Sequence, residues 1–366
     1  MHRLQFHYTL SSQASPALVR NPLMDLLQAV AQAGSISAAA RALKLSYRHV
    51  WGELKRWEGE LGHELIIWEK GQSARLTEFA AKLMWAEAQS QARLAPQIEA
   101  LRNELERTFA VAFDDSAHVV TLYASHDEAL VRLREQALNI AAGALHLDIR
   151  FTGSVDAIRA LNEGRCVMAG FHTPPSPQVG SLAEKTYKPL LQPGLHKIIG
   201  FAKRTQGLIV AAGNPLGLVD LQDVQRTGAR WVNRALGTGT RVLLDEMLAQ
   251  NGLTGDALSG YARTEPSHAA VAQAIASGDA DVGLGIEIAA HAKGLSFVPL
   301  LQENYYLVCL KSALEQPAIQ SLREFLQSPA WQQALVGTVG YVPTHSGEVL
   351  SLSQVLPWWD FGEKKL

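Results

Sequence analysis

The spacing of apolar residues near the amino terminus predicts a helix-turn-helix. Before Gly34, apolar residues recur at helical intervals and form one apolar face, which consists of Leu23, Leu26, Leu27, Val30 and Ala31. A short alanine-rich run follows, for which Ser35 or Ser37 can supply the N-cap, and a tight break then leads to Ser46, a natural N-cap for a longer helix. In such motifs the second helix enters the major groove of DNA.

The longer helix has an apolar stripe on one side and basic and aromatic residues on the other. The stripe consists of Val50, Leu54, Trp57 and Leu61. Arginine and lysine near the start of a groove-bound helix meet base edges or phosphates, and hydroxyl groups bind phosphate. The stretch HELIIWEKGQSARLT then alternates apolar and polar residues on either side of a glycine, which predicts a short hairpin, or wing.

Nine residues of this segment are predicted DNA contacts. They are Ser37, Ser46, Tyr47, Arg48, His49, Trp51, Lys55, Lys70 and Arg75. For the arginine and lysine residues, an ordinary amphipathic helix with solvated charges is the alternative.

Residues 77–109 again show helical spacing. Their apolar residues alternate intervals of four and three, which is typical of a helix-packing seam, and these are Leu94, Ile98, Leu101 and Leu105. A long helix between a DNA-binding domain and a sensor predicts a dimer contact, since a dimer matches two half-sites, and packing within one chain is the alternative. We therefore expect a homodimer or homotetramer. Pro96 should kink this helix or separate two helices.

After residue 115, apolar strands alternate with helical segments, which predicts an α/β fold. Two stretches of this region are similar to each other. GSVDAIRALNEGRCVMAG, which starts at Gly153, and SHAAVAQAIASGDADVGLG, which starts at Ser267, align at a constant offset. Two similar units indicate two similar lobes.

Three strand-to-helix junctions in this region carry small hydroxyl residues and glycine, where unpaired backbone N–H groups can bind a ligand. The predicted ligand contacts are Ser125, His126, Gly153, Ser154, Thr238, Gly239, Thr240 and Arg241. Arg241 can hold an anion through two hydrogen bonds, so the junctions predict a cleft for a small anion. Helix capping is the alternative for each junction, and a salt bridge between the lobes, with Glu265 or Asp245, is the alternative for Arg241. Three histidines can approach such a cleft, although lone histidines more often pack or face solvent: His126, His172 and His268.

Composition limits the possible functions. Of the 366 residues, 47% are hydrophobic and 19% charged, and the formal net charge is -2, so any nucleic-acid surface must be local. The two cysteines form no CxxC pair, which argues against a disulfide framework and favours a reducing compartment. The first twenty residues lack the apolar stretch of a secretory signal, and no later run suits a bilayer span. We therefore expect a cytoplasmic protein without a membrane partner.

Common catalytic motifs are missing from the sequence. It contains no GxSxG elbow, HExxH helix, Walker phosphate loop or paired cysteine nucleophile site. Asp127 and Glu128 are adjacent acids at a junction, but capping and solvation explain them equally well. We therefore predict that the protein is not an enzyme, and that it has neither a metal site nor a cofactor beyond an anionic effector.

Residues 21–84 resemble the amino-terminal DNA-binding domain of the molybdate-responsive ModE family, which is itself similar to LysR-type regulators. The strings that carry this resemblance are GSISAAARALKLSYRHVWGELKRWE and LTEFAAKL. The resemblance implies that five residues face DNA: Ser37, Ser46, Tyr47, Arg48 and Lys55. It implies packing positions for Ala39, Ala40, Leu43 and Trp57. ModE proteins also carry small oxyanion-binding barrels at the carboxy terminus, and nothing similar follows here, so their ligand does not transfer.

Residues 117–335 resemble the periplasmic-binding-protein-like domain that is often fused to ModE-like domains in bacterial regulators. The carrying strings include WVNRALGTGTRVLLDEML and GYARTEPSHAAVAQAIASGDADVGLGIE. The resemblance implies two α/β lobes joined by crossover strands near residues 199–210 and 297–310, with ligand between the lobes and residues 300–366 returning to the first lobe. Related proteins bind molybdate or tungstate chiefly through neutral hydroxyl and backbone donors, and Ser125, Ser154 and Thr238 suit that mode. Arg241 more readily suits a carboxylate or phosphate.

The expected fold is an all-α winged helix-turn-helix domain plus an α/β two-lobed periplasmic-binding-protein-like domain, joined by a long linker helix. The expected ranges are a tail at 1–20, the winged helix-turn-helix at 21–84, the linker and dimerisation helix at 85–115 and the effector domain at 116–366. The expected function is a transcriptional regulator that binds double-stranded DNA and senses a small anion, with molybdate or tungstate first and a small carboxylate such as formate second. A solute-binding protein of an anion uptake system is the alternative.

Overall fold

A computed structural model of the chain describes residues 21–68, 73–113, 118–140 and 145–359. The chain divides into two compact units between Ile98 and Glu99. The predicted amino-terminal tail and Lys70 of the wing lie outside the described residues.

Three capped helices with apolar faces form the amino-terminal unit. They are α1 (Pro22–Ala33), α2 (Ile36–Ala42) and α3 (Tyr47–Leu61). Of the two candidate caps for α2, Ser35 is the one used, because its hydroxyl oxygen accepts a hydrogen bond from the N–H of Ala38 at 3.1 Å. Ser46 caps α3 and accepts from the N–H of His49 at 3.1 Å. The predicted apolar faces meet in one core, which includes Leu23, Leu26, Leu27, Val30, Val50 and Leu54.

A two-stranded wing follows α3. Strand β1 (Ile66–Ile67) pairs in antiparallel register with β2 (Arg75–Leu76), so that Ile66 lies opposite Leu76. The hydroxyl of Thr77 donates to the carbonyl oxygen of Glu64 at 2.8 Å and joins the two ends of the hairpin. The predicted winged helix-turn-helix is thus confirmed.

One long helix, α4 (Glu78–Phe113), contains the division between the two units. Pro96 lies inside α4, and the helix continues past it, so the alternative of two separate helices is wrong. Of the predicted seam, Leu94 and Leu101 are 40% and 59% exposed. Among the described residues, no helix combines the length and the apolar content needed to cross a lipid bilayer.

In the described part of the carboxy-terminal unit, strands alternate with helices. The strands are β3 (His118–Ala124), β4 (Leu145–Phe151), β5 (Met168–Thr173), β6 (His196–Val210), β7 (Trp231–Arg234), β8 (Thr264–Glu265), β9 (Val282–Ile286), β10 (Ser296–Leu310), β11 (Tyr341–Pro343) and β12 (Val349–Leu350). The helices are α5 (Glu128–Ile140), α6 (Ser154–Asn162), α7 (Leu182–Tyr187), α8 (Leu221–Thr227), α9 (Gly239–Gln250), α10 (His268–Ala276), α11 (Glu287–His291), α12 (Pro317–Gln327), α13 (Pro329–Val336) and α14 (Leu352–Val355). The α/β alternation predicted from the sequence is confirmed.

These strands form one mixed sheet in the order β4, β3, β5, β10, β6, β9, β7, β8, and β11 and β12 add to β6. The pairs within β3, β4 and β5 are parallel, as are those within β7, β8 and β9. The antiparallel strands β6 and β10 run between these groups. We call residues 118–190 and 311–359 of the described chain the first lobe and residues 211–295 the second lobe.

The two similar sequence stretches fold alike, one in each lobe. Helix α6 leads to β5 in the first lobe, and α10 leads to β9 in the second. Each helix is followed by a glycine in the left-handed region, Gly164 at φ 71 and Gly278 at φ 75, where a side chain would be strained. The repeated sequence therefore encodes the same turn twice.

The carboxy-terminal segment packs on the first lobe. Strand β12 places Val349 opposite Ile199 of β6. The guanidinium of Arg132 on α5 donates to the hydroxyl of Thr338, which follows α13, at 2.8 Å. The predicted junctions follow the ends of β3 and β4 in the first lobe and of β7 in the second.

Candidate functional site

The predicted ligand-binding junctions come together between the two lobes of the carboxy-terminal unit. Ser125 follows β3 and Ser154 begins α6, and their hydroxyl oxygens lie 3.4 Å apart. The N–H of Val155 donates to the carbonyl oxygen of Gly237 at 3.3 Å, which joins the first lobe to the second. A Cβ at Gly153 would lie 2.8 Å from that same carbonyl oxygen, so this approach requires glycine. We call the region between these junctions the cleft.

The first turn of α9 contributes one contact to the first lobe and one to strand β6. Gly239 lies against His172 of the first lobe, since a Cβ at this position would be 2.9 Å from the Cβ of His172. The hydroxyl of Thr240 accepts from the amide of Gln206 at 3.1 Å and lies 3.4 Å from Nε2 of His268. Both predicted residues are therefore buried within the cleft.

Thr238 takes the capping alternative, and Arg241 forms an ion pair within its own helix rather than between the lobes. The hydroxyl of Thr238 caps α9, accepting from the N–H of Arg241 at 3.4 Å and donating to the carbonyl oxygen of Ala235 at 2.8 Å. The guanidinium of Arg241 pairs with Asp245, with Nε 3.1 Å from each carboxylate oxygen, and lies over the ring of Tyr261. Because Asp245 is one helical turn away and already offsets its charge, Arg241 offers a bound anion no uncompensated charge.

The cleft cation is instead Arg234, which the sequence analysis overlooked. Arg234 ends β7 and is 2% exposed. Its Nη1 donates to the backbone carbonyl oxygen of Glu265 at 3.2 Å, whereas its Nε is buried and forms no hydrogen bond with the described residues. Burial and, to a smaller extent, the charge of Arg204 lower the pKa of Arg234 to about 9, so the side chain remains charged at neutral pH. The available signal was an arginine at the end of a buried strand, directly before a glycine-rich junction.

Three histidines lie within the electrostatic range of Arg234, and they are His126, His172 and His268. Burial, followed by the charge of Arg234, lowers the pKa of His126 to about 4. Burial and the charges of Arg204 and Arg234 hold the pKa of His172 and of His268 well below the usual 6.5. All three are therefore neutral at pH 7. Within the described chain they form no group suited to hold a metal ion.

His172 has the least satisfied ring of the three. It is fully buried on β5, and neither ring nitrogen makes a hydrogen bond within the described chain. Its ring stacks on that of Tyr305, the residue opposite it on β10, with centroids 3.9 Å apart. The Nδ1 of His268 and the hydroxyl of Tyr305 are likewise buried without partners in the described residues. Buried polar atoms of native proteins are rarely left without partners, so this cluster indicates a binding site for a polar ligand.

A second buried arginine, Arg204 on β6, is fully compensated by carboxylates. It pairs with Asp127 of the first lobe and with Glu303, its neighbour on β10. Tyr341 donates to the carboxylate of Asp127 at 2.7 Å, and the amide of Gln206 donates to Glu303 at 2.8 Å. Burial raises the pKa of Glu303, although Arg204 and Gln206 oppose that shift. This network joins the first lobe to the strands that cross to the second, and it leaves Arg234 as the uncompensated cation.

In the amino-terminal unit, the described members of the predicted DNA surface lie on α2, α3 and β2. Seven of them are exposed: Ser37, Ser46, Tyr47, Arg48, His49, Lys55 and Arg75. Trp51 is half-buried against the core. The ammonium of Lys55 pairs with Glu58 at 2.6 Å and lies 5.0 Å from the centre of the Trp51 ring.

The sequence analysis also missed Trp68, which follows β1 and is 65% exposed. Tyr47, Trp51 and Trp68 form a row of aromatic rings, with centroid distances of 6.4 Å and 6.3 Å between neighbours. A pocket of about 210 Å³ opens beside this row, and its lining includes Ser37 and Ala74. We call the three aromatic residues the aromatic row. Its signal in the sequence was a tryptophan directly after the short apolar strand of the wing.

Two family models match the chain. Residues 23–81 match a model described as bacterial regulatory helix-turn-helix protein, lysR family. Residues 135–327, more than half of the chain, match a model described as the PBP superfamily domain. The two matches fall on the amino-terminal and carboxy-terminal units, respectively.

The chain is also similar to two curated proteins and to solved structures. It is 30% identical over 201 residues to the uncharacterized protein YvgK of Bacillus subtilis, an alignment that covers 55% of this chain and 64% of YvgK, less than two thirds of its length. It is 32% identical over 111 residues to an uncharacterized protein of Clostridium pasteurianum from the 5′ region of a ferredoxin gene, covering 30% of this chain and 98% of that protein. Full-length BenM superimposes with a TM-score of 0.42 at 16% identity, covering 87% of this chain and 97% of BenM.

Proposed function

The chain belongs to the family defined by the PBP superfamily domain and carries a helix-turn-helix of the lysR family, and from this premise we propose a DNA-binding transcriptional regulator that senses a small anion. The anion binds in the cleft and changes the affinity of the protein for its operator. A ligand produces such a change only when it binds the two arrangements of the protein with different affinity. The helix-turn-helix in front of the cleft favours this function over the alternative of a solute-binding protein.

The uncompensated charge of Arg234 is the observation that carries the anion proposal. A buried ion without a counterion costs several kcal/mol, so such groups are normally paired. In the described chain Arg234 has no carboxylate partner, and its Nη1 donates only to the carbonyl oxygen of Glu265. The junctions of the cleft also carry hydroxyl groups, those of Ser125 and Ser154 in the first lobe and that of Thr240 in the second. A bound anion supplies the missing negative charge.

Molybdate or tungstate is our first choice for the anion, and a small carboxylate such as formate is the second. A tetrahedral oxyanion has acceptor atoms in several directions, which suits hydroxyl and imidazole donors that surround a ligand. A planar carboxylate pairs best with one guanidinium fork and uses fewer of these donors. The many separate donors around the cleft favour the oxyanion.

A thermal-shift titration with molybdate, tungstate, sulfate and formate tests this function. An anion that binds the native state raises the unfolding temperature in proportion to the logarithm of its concentration above Kd. We expect molybdate and tungstate to give a saturable rise and sodium chloride at equal ionic strength to give none. The absence of any anion-specific rise would contradict the sensor proposal.

The DNA part of the proposal is tested by fluorescence anisotropy with a duplex selected by the full-length protein from a random library. Affinity should fall steeply with salt because basic side chains displace counterions from phosphates. The variant Arg48→Ala should weaken binding, since Arg48 is exposed on the first turn of α3. Arg226→Ala, which removes an exposed arginine of α8, is the matched control. Equal affinity of both variants would assign Arg48 to a solvated face.

We also propose that α4 mediates a dimer. The exposed side chains of Leu94 and Leu101 are costly in water and are typical of a helix-packing interface. Sedimentation equilibrium should show a dimer that Leu101→Glu dissociates and that Gln97→Glu, at an exposed polar position of the same helix, leaves intact. A dimer of unchanged stability in Leu101→Glu would contradict this role.

A further inference from the structure

Among the charges buried around the described cleft, one positive charge has no negative partner. Arg204 already pairs with two carboxylates, those of Asp127 and Glu303. Arg234 is therefore the only buried cation of the described cleft without a counterion. An anion with a single charge is matched by Arg234 alone, whereas an anion with two charges brings one negative charge that no fixed cation offsets.

His172 is placed to supply the second positive charge. Both of its ring nitrogens are buried and without hydrogen bonds in the described chain, so an imidazolium there has two N–H groups to donate to an anion. Its ring stacks on Tyr305 at 3.9 Å, and an aromatic face stabilises an adjacent cation. By comparison, His268 already has Nε2 beside the hydroxyl of Thr240 at 3.4 Å.

We propose that the cleft binds a doubly charged oxyanion and that one proton enters with it and resides on the His172 imidazole. This inference rests on the proposed anion-sensing function and specifies its ligand class. Without the anion, burial and the charges of Arg204 and Arg234 keep His172 neutral. A bound dianion places negative charge beside His172. That charge offsets the repulsion from Arg204 and Arg234 and raises the pKa of the imidazole. The anion and the proton therefore bind cooperatively.

The groups around His172 support the same assignment. Arg204 on β6, Arg234 on β7, His268 on α10 and Tyr305 on β10 interact with it directly. Asp127, directly before α5, and Glu303 on β10 pair with Arg204, and His126 lies within electrostatic range of Arg234 and His268. Asp127 and Glu303 accept hydrogen bonds from Arg204, Tyr341 and Gln206. Tyr305 stays neutral because burial raises its pKa well above 10. Among these groups, the histidines are the ones whose ordinary pKa of about 6.5 lies nearest to neutral pH, so a bound dianion converts them to the cationic form most readily.

Calorimetric titration of the full-length protein in two buffers of different ionisation enthalpy measures the proton directly. The probes are molybdate and sulfate, which stay doubly charged between pH 6 and 8, and formate, which stays singly charged. We expect an uptake of about one proton with a bound dianion, and an affinity that rises about tenfold for each unit that the pH falls. Dianion binding without proton uptake would overturn the proposal and leave the sensor function standing, whereas no binding of any probe would overturn the sensor function itself.

The variant His172→Gln locates the proton. Glutamine keeps a polar side chain of similar size but takes up no proton, so the uptake should fall from about one to near zero, and the affinity for the dianion should lose its dependence on pH. The control is His345→Gln, which changes an exposed histidine that pairs with Glu348. If His172→Gln does not fold, His268→Gln serves as the second variant and should keep the uptake. Full uptake in folded His172→Gln, or its loss in His268→Gln, would overturn the assignment to His172.

Discussion

Arg234 donates a hydrogen bond to the backbone carbonyl oxygen of Glu265 at 3.2 Å, although the carboxylate of Glu265 forms no ion pair with it. The two residues lie opposite each other in the parallel pairing of β7 with β8. A carbonyl oxygen offsets only part of a buried positive charge, so the anion-free protein retains an electrostatic cost at this position. In the proposed sensor, that cost is the physical source of the specificity for anions.

Replacing this cation should separate stability from ligand binding. We predict that Arg234→Met raises the free energy of unfolding of the anion-free protein by about 1–3 kcal/mol, because it removes a buried charge without a counterion. The same variant should lose the thermal shift with molybdate. Urea unfolding and thermal-shift titration measure the two effects.

The matched control for this prediction is Arg230→Met. Arg230 is exposed and pairs with Asp281 at 2.6 Å, so its loss should change stability little and leave the molybdate response intact. A molybdate response of normal size in Arg234→Met would place the anion away from this arginine.

The buried histidines should make the anion-free protein sensitive to mild acid. The unfolded chain binds a proton on each histidine near pH 6.5, but folded His126 does so only near pH 4, and His172 and His268 also stay neutral well below 6.5. The stability that comes from keeping these histidines neutral is therefore complete above pH 6.5. As the pH falls below 6.5, the free energy of unfolding decreases by up to about 1.4 kcal/mol per pH unit for each histidine. Urea unfolding at pH 7.0, 6.0 and 5.5 should reveal this loss.

Two comparisons make this prediction specific. The double variant His172→Gln/His268→Gln should show a shallower dependence of the unfolding free energy on pH, and an unchanged slope would contradict the assignment. Glu128 acts in the opposite direction, because burial and the charges of Asp127 and Glu99 raise its pKa to about 7. Its carboxyl group therefore lowers the free energy of unfolding as the pH rises from about 4.5 through 7. In the pH profile of the wild type, this effect is smaller than that of the histidines and opposes it.

The helices and the wing of the amino-terminal unit were predictable because their signals are local. Apolar spacing places Val50 and Leu54 on one side of α3, and both are buried. Ser46 was identified as the N-cap from its position before the helix, since capping depends on the three residues that follow. The continuity of α4 through Pro96 was not predictable, because a proline costs a helix one hydrogen bond but tertiary packing decides whether the helix resumes.

The cleft was predictable in its position but not in its charges. Hydroxyl and glycine residues at strand ends mark a ligand site in α/β folds, and Ser125 and Ser154 do meet there. Which arginine stays unpaired depends on partners that are distant in sequence. Arg241 finds Asp245 one turn along its own helix, whereas the surroundings of Arg234 exist only once β7 lies within the sheet.

The contact between Gly153 and Gly237 should be required for anion binding. A Cβ at position 153 would lie 2.8 Å from the carbonyl oxygen of Gly237, so Gly153→Ala should force the two lobes apart at this junction. We predict that this variant binds molybdate at least about tenfold more weakly, since a separation of the donors removes about 1.4 kcal/mol or more of binding free energy. Calorimetric titration measures the affinity.

Gly59→Ala is the control for this substitution. Gly59 lies within α3, and a Cβ there would meet nothing within 4 Å, so alanine should leave the anion affinity unchanged and stabilise the helix by about 0.5–1 kcal/mol. Unchanged molybdate affinity in Gly153→Ala would show that the observed approach of the lobes is not needed for binding.

The aromatic row should contribute to DNA affinity through Trp68. An indole that is 65% exposed gains free energy when a partner covers it, and Trp68 continues the line of rings that begins with Tyr47 on the first turn of α3. We predict that Trp68→Ala weakens binding to the selected duplex by about tenfold, which corresponds to about 1.4 kcal/mol. The salt dependence should remain as steep as in the wild type, because no phosphate contact is lost.

Trp68→Phe keeps an aromatic ring at this position and should retain most of the affinity that Trp68→Ala loses. Thermal unfolding of both variants should match that of the wild type, since Trp68 is outside the core of the amino-terminal unit. Fluorescence anisotropy at two salt concentrations separates the apolar contribution from the electrostatic one. If Trp68→Ala and Trp68→Phe both bind the duplex as tightly as the wild type, Trp68 makes no contribution to DNA affinity and the proposed role of the aromatic row does not extend to the wing.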